Sequence, residues 1–171
     1  MDERQHILTM LDGLEGTPAE VIADLARSFD LRQYTNIELC RQGDDADRLW
    51  VLGSGHVTVV RLLSTGRPCD VARISPTALV GFSGLAGVPK RSATLKADGQ
   101  IEVLEIGTES AAELLSDTAS ASSAAFRRVL ISAIAKQVAT TNTNIAKLAV
   151  DLGLAQAGVT EETLLSTITL H

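Results

Sequence analysis

Apolar residues change their spacing twice along this chain, from a helical period to a strand period and back. Within residues 4–15, Ile7, Leu8, Leu11 and Leu14 recur three and four apart, which predicts a short amphipathic helix loosened at its end by Gly13 and Gly16. Thr17-Pro18-Ala19-Glu20 predicts the start of a second helix. Thr17 is the expected cap, Pro18 suits the first helical position, and Glu20 would close a capping box. Val21, Ile22, Leu25, Ala26 and Phe29 give that helix its apolar face.

From about residue 33 to 106 the pattern shortens to stretches rich in β-branched and aliphatic residues: 34–40, 48–52, 56–63, 70–74, 92–97 and 101–106. Between them stand turn residues, among them Gly53-Ser54-Gly55, Thr65-Gly66-Arg67-Pro68 and Asp98-Gly99. Strands at this spacing predict an antiparallel sandwich or jelly roll rather than βαβ units. Residues 80–90 carry three glycines and do not alternate, so they read as a loop with one helical turn.

After residue 107 the helical period returns. Thr108–Ser116 predicts a short helix, and 116–123 is small and polar. A long helix is expected over 122–152. Its Phe126, Leu130, Ile134, Val138, Thr141, Ile145, Leu148 and Leu152 form a narrow seam like a coiled-coil contact. Gly153 and Gly158 would break it, with a last short helix at Glu161–Leu165 opened by Thr160.

Composition narrows the class. The chain has 171 residues, 45% hydrophobic and 21% charged, ordinary values for a folded soluble domain. The apolar runs fall short of the ~18 residues of a membrane span. Met1-Asp2-Glu3-Arg4 lacks the basic and apolar regions of a secretory signal, so no membrane and a cytoplasmic location are the expectation. The net charge of −6 lacks the footprint of a free-standing nucleic-acid binder. Seven acids in the first 30 residues, against Arg4 and Arg27, read as a solvated face. Arg127, Arg128, Lys136 and Lys147 make a locally basic, solvent-facing side of the long helix.

Several chemical motifs fail on inspection. Gly81-Phe82-Ser83-Gly84-Leu85 lacks the final glycine of a nucleophile elbow. Gly53-Ser54-Gly55 has Thr58 where a dinucleotide fingerprint needs its third glycine, and reads as a hairpin turn. Asp44, Asp45 and Asp47 lack the downstream glutamate of a calcium loop, and read as a turn with capping carboxylates. Cys40 and Cys69 make no disulfide framework and read as small core or edge residues. With His56 the only interior histidine, no catalytic set and no metal site assembles, and the chain is not expected to be an enzyme.

Two stretches carry a signal together. The first, 41–59, holds Gly43, Asp47, Trp50, Val51, Gly55, Val57 and Val59; the second, 74–97, holds Gly81, Leu85, Arg91, Ser92 and Ala93. Together they resemble the cyclic-nucleotide-binding domain of the catabolite-activator and kinase-regulatory type, over about residues 20–150. The resemblance implies a mainly β fold with α: an antiparallel β-roll (jelly roll) flanked by N-terminal helices and a long C-terminal helix. It divides the chain into N-terminal helices 1–30, a β-roll 31–107 with a phosphate-binding cassette at 80–94, C-terminal helices 108–152, and a tail 153–171.

The resemblance assigns ligand or phosphate binding to Gly81, Phe82, Ser83, Gly84, Leu85, Arg91 and Ser92. A glycine-rich turn beside a short helix presents backbone N–H groups to an anion, and a guanidinium can grip phosphate with two hydrogen bonds. Taken alone, Arg91 reads as an ordinary surface arginine at a strand start; the resemblance turns it toward an anion. Where the family carries a ribose-binding glutamate this chain has Phe82, and Thr77 stands for an expected glycine. Phe82 either fills the ribose volume or turns into the sheet as core. Thr140 and Thr141 interrupt the seam and are candidates for base contacts.

The implied function is a regulatory, ligand-sensing, non-enzymatic domain whose binding of cyclic AMP or cyclic GMP is weak or lost. Its ligand would be a cyclic nucleotide or another phosphorylated small molecule, with no certain cofactor. An anion would tighten the cassette and repack the long helix. The alternative is a ligand-free dimerisation or protein-interaction scaffold of the same fold. A homodimer through 122–152 and a protein partner are expected. Direct DNA binding is not, because the twenty or so residues after Leu152 are too few for a helix-turn-helix domain and hold no Lys or Arg.

Overall fold

The computed structural model describes residues 2–151. The expected tail, with Gly153, Gly158 and the helix at 161–165, lies outside the described residues, as does Leu152. The chain divides into two units, Met1–Ala133 and Ile134–His171.

The first unit opens with α1 (Glu3–Thr9) and α2 (Ala19–Ala26). Six strands follow: β1 (Asp30–Thr35), β2 (Glu38–Cys40), β3 (Arg48–Leu62), β4 (Pro68–Ile74), β5 (Ala78–Val80) and β6 (Thr94–Gly107). A short 3-10 segment, Phe82–Ala86, lies between β5 and β6; α3 (Thr108–Ser116) and α4 (Ala121–Asp151) come last. The sheet is antiparallel, in the order β1-β6-β3-β4, with β2 on β6 and β5 on β3. The expected β-roll with flanking helices and a long last helix is the observed fold.

Strand periodicity explains the two cores. Successive side chains of a strand face opposite sides, and both sides of β3 are covered. Leu49 and Val51 join Ile7, Leu25, Phe29, Leu104 and Phe126 beneath the helices. Trp50 and Leu52 join Val57, Ile101 and Val103 inside the roll. The Phe29 and Phe126 rings meet edge to face at 5.9 Å, which ties the start of α4 to the segment between α2 and β1. Leu130 packs on the same core, so the first turns of the expected seam serve the domain itself. Ile134, Val138 and Leu148 are exposed.

Local predictions need correction where tertiary contacts take over. The helix expected over 4–15 ends at Thr9, although Leu11 and Leu14 remain buried. Asp2 caps it through a capping box with Gln5, a signal legible in Asp2-x-x-Gln5. The box expected from Thr17 and Glu20 does not form; Pro18 is the cap residue, without a side-chain bond. The Thr17 hydroxyl instead accepts from the charged Arg128 guanidinium at 2.7 Å. Arg127 does not simply face solvent: it donates to Leu115 O and Ser123 Oγ.

Gly53-Ser54-Gly55 is not a hairpin turn. β3 runs through it, paired with β6 on both sides, with register shifts at the glycines. A Cβ on Gly53 would lie 2.7 Å from Ile7 Cδ1, and one on Gly55 would overlap the Gln100 carbonyl. These glycines admit close approach inside a strand. Asp98-Gly99 likewise bends β6 without ending it, held by Asn36, whose side chain accepts from Gly99 N at 3.0 Å. The stretch 34–40 splits into β1 and β2 around Asn36, which has a left-handed φ of 52°. The pattern does not predict the short strand β5, whose three residues are too few to show a period. No helix among the described residues is long and apolar enough to cross a membrane.

Candidate functional site

β5 pairs with β3, Val80 opposite Trp50, and delivers the chain to the cassette. Gly81 then turns left-handed at φ 78°, and the 3-10 segment follows, closed by Gly87 at φ 79°. Trp50 lies directly under this turn, its Cζ3 2.9 Å from where a Gly81 Cβ would sit. Gly84 approaches the 44–47 loop so closely that its Cβ would lie 2.6 Å from Ala46 O. Both glycines of the expected anion cup are therefore demanded by packing.

The 89–91 stretch of the cassette zips onto the 43–46 loop. Arg91 N donates to Asp44 O at 2.8 Å, Gly43 N to Arg91 O at 2.9 Å, and Ala46 N to Pro89 O at 2.9 Å. Lys90 Nζ reaches Asp45 at 2.6 Å across exposed surface, a pair worth less than about 1 kcal/mol.

Arg91 is neither a surface residue nor open to solvent: it is 4% exposed. Its guanidinium carbon stands 4.9 Å from the Trp50 ring centroid. Nη1 donates to Gly81 O at 2.9 Å and Nη2 to Arg48 O at 2.5 Å, while Asp47 Oδ1 lies 3.5 Å away. Nε is buried without a hydrogen-bond partner among the described residues. One side chain thus bridges the start of β3, the cassette and its own segment.

The indole beneath it is oriented in turn. Trp50 Nε1 donates to Glu105 Oε2 at 2.8 Å; the same carboxylate accepts from Tyr34 OH at 3.2 Å and from Arg48 Nη1 at 3.0 Å. Burial, then the charge and hydrogen bond of Glu105, push the Tyr34 hydroxyl above its ordinary pKa. Burial pushes Asp47 up, but the Arg48 hydrogen bond and charge, with Arg91 behind them, outweigh it and hold the carboxyl below the usual range. Burial raises the Cys40 thiol.

The other predicted site residues fall as follows. Phe82 and Leu85 are half-buried and pack on the helical core, so the Phe82 ring takes the second of its two expected positions. Ser83 is half-buried and Ser92 exposed. Thr140 and Thr141 lie on α4 in the second unit, both exposed, and Thr141 Oγ1 donates to Gln137 O at 2.8 Å. Beside the cassette opens a cleft of about 480 Å³, walled by Asp44, Asp45, Asp47, Arg48 and Lys90. Asp47 is paired there with Arg48 and Asp45 with Lys90.

Sequence reasoning missed Glu105 and the part played by Arg48. Glu105 pairs with Trp50 only through the β3–β6 register, which spans 55 residues and left no local signal.

Residues 35–118 match the family model of the cyclic nucleotide-binding domain. Among solved structures, the chain is similar to a cyclic nucleotide-binding domain from Methylobacillus flagellatus, with TM-score 0.73 and 16% identity over 85% of this chain and 82% of that one. It is similar to the c-di-GMP responsive global regulator CLP of Xanthomonas campestris, with TM-score 0.67 and 23% identity over 77% of this chain and 65% of that one. It is also similar to the catabolite activator protein of Thermus thermophilus, with TM-score 0.66 and 22% identity over 80% of this chain and 62% of that one. The match therefore spans less than two thirds of either regulator. No curated protein matches the chain.

Proposed function

We propose, from the match of residues 35–118 to the family model of the cyclic nucleotide-binding domain, a non-enzymatic regulatory module with a degenerate ribose site. Binding of cyclic AMP or cyclic GMP is weak or lost. The observation that carries this reading is Phe82, which stands where the family's glutamate would grip the ribose and packs its ring on the hydrophobic core instead. A phenyl ring accepts no hydrogen bond from a hydroxyl in that way. Losing one charge-assisted bond costs about 1.5–3 kcal/mol, or about one to two decades of affinity.

The remaining site would take a phosphorylated small molecule through Gly81, Ser83, Gly84, Leu85, Arg91 and Ser92. Exposed Ile134, Val138 and Leu148 on α4 support a homodimer through 122–152, and the module would act through a protein partner. Titration calorimetry and thermal shift with cyclic AMP and cyclic GMP test the ligand part. The expected result is no saturable binding below about 1 mM. A low-micromolar dissociation constant for either nucleotide overturns the reading. Phe82→Glu is expected to raise nucleotide affinity at least tenfold, roughly the value of the missing bond.

A ligand-free scaffold is the second reading, favoured by the internal partners of Arg91. It prevails if Phe82→Glu binds neither nucleotide while remaining folded.

A further inference from the structure

We propose that Trp50 determines whether Arg91 is available to a phosphate: its indole face, with the carbonyls of Gly81 and Arg48, is an internal receptor for the guanidinium that an external anion must outcompete. This inference rests on the regulatory reading above and adds the residue that sets anion affinity at the same site.

The geometry supports it from three sides. Arg91 is 4% exposed, and two of its three nitrogens already donate to protein oxygens at 2.9 and 2.5 Å. A guanidinium over an indole face within about 6 Å gains attraction that grows as water is removed, and here the separation is 4.9 Å. The indole cannot drift, because its N–H is held by Glu105, which Tyr34 and Arg48 hold in turn. Asp47, 3.5 Å away, adds a negative charge on the solvent side. The buried Nε without a hydrogen-bond partner among the described residues shows the limit of the fit. The internal receptor satisfies the fork and the flat face of the guanidinium but not its third edge.

Competition has a consequence for signalling. A phosphate that draws Arg91 outward removes a donor from Gly81 O, at the entrance of the 3-10 segment, and from Arg48 O, at the start of β3. Occupancy then loosens the cassette from β3, the reverse of the tightening expected from sequence. By linkage, a binding-competent form that is only fractionally populated lowers apparent affinity by that fraction.

The test compares the parent with Trp50→Phe and Trp50→Tyr, each checked for native circular dichroism. The first readout needs no ligand: hydrogen exchange of the Arg91 Nε–H by ¹⁵N NMR, assigned by its loss in Arg91→Lys. Exchange in the parent should be at least tenfold slower than for exposed arginines. It should quicken at least threefold in the folded Trp50 variants. The second readout is calorimetry with inorganic phosphate and with cyclic AMP. Phosphate, at least, should bind the Trp50 variants at least tenfold more tightly than the parent, and adding Arg91→Ala should abolish the gain. Unchanged exchange in both folded variants, or equal phosphate affinity in parent and variants including no binding by any, overturns the inference. Tight cyclic AMP binding by the parent would instead overturn the functional reading, so the two failures are distinct.

Discussion

Alanine at position 81 separates two costs that glycine avoids there. The first is backbone strain: φ is +78°, and an L side chain in the left-handed region costs about 1–2 kcal/mol. The second is overlap. The new Cβ would lie 2.9 Å from Trp50 Cζ3 and 3.0 Å from both Trp50 Cε3 and Arg91 Nη1. Neither neighbour yields easily, since the indole is hydrogen-bonded to Glu105 and the guanidinium to two carbonyls. Overpacking of this kind costs about 1–3 kcal/mol. Alanine also stiffens the unfolded chain, which returns about 0.4–1 kcal/mol. The expected net loss is about 2–4 kcal/mol. Gly87→Ala is the internal control: its φ is +79°, yet nothing lies within 4 Å of its Cβ position, so it should lose only about 0.5–1 kcal/mol. Equilibrium urea unfolding reads both, with Trp50, the single tryptophan, as the fluorophore. At a slope of about 2 kcal/mol per M urea, the midpoint should fall by about 1–2 M for Gly81→Ala and by less than about 0.5 M for Gly87→Ala. Equal midpoints for the two variants would refute the packing of Gly81 against Trp50 and Arg91.

Arg91→Ala strips donors from Gly81 O and Arg48 O and should cost about 2–4 kcal/mol by urea unfolding; Arg91→Lys should recover less than half of it, because an ammonium offers neither the fork nor the flat face. Tyr34 has its pKa raised in the fold, by burial first and then by Glu105, so its contribution is complete below pH 10 and fades as pH rises through the higher folded value. Thermal melts from pH 8 to 11.5 should therefore show a smaller alkaline loss for Tyr34→Phe than for the parent. Arg128 donates to Gly13 O at 2.9 Å and Thr17 Oγ1 at 2.7 Å from an exposed position; Arg128→Ala should lower stability by about 1 kcal/mol and quicken amide exchange in residues 13–17.

The order of elements was legible because hydrophobic period is local information. Spacings of three and four marked α2 and α4, and β-branched runs marked the roll. The cassette residues were legible as a pattern, since Gly81, Leu85, Arg91 and Ser92 keep their spacing whatever surrounds them. The orientation of Arg91 was not. A guanidinium reaching for phosphate and one stacked on Trp50 have the same neighbours in sequence. Trp50 lies 41 residues before Arg91, and its partner Glu105 lies 55 residues after Trp50. Only the pairing of β3 with β6 and β5 brings them together.

What the amino-acid order determined by itself is the alternation of helix and strand, the glycine-bracketed turn at 81–87, and the absence of a carboxylate at position 82. Folding in three dimensions decided the rest. Gly53 and Gly55 suit a turn as well as a strand, and the contacts with Ile7 and Gln100 selected the strand. Phe82 could have filled a sugar site, and the apolar surface under the helices took it. Arg91 could have stood in water, and desolvation against an oriented indole and two carbonyls drew it inward. In each case the local preference was nearly even, and contacts between residues distant in the chain made the choice.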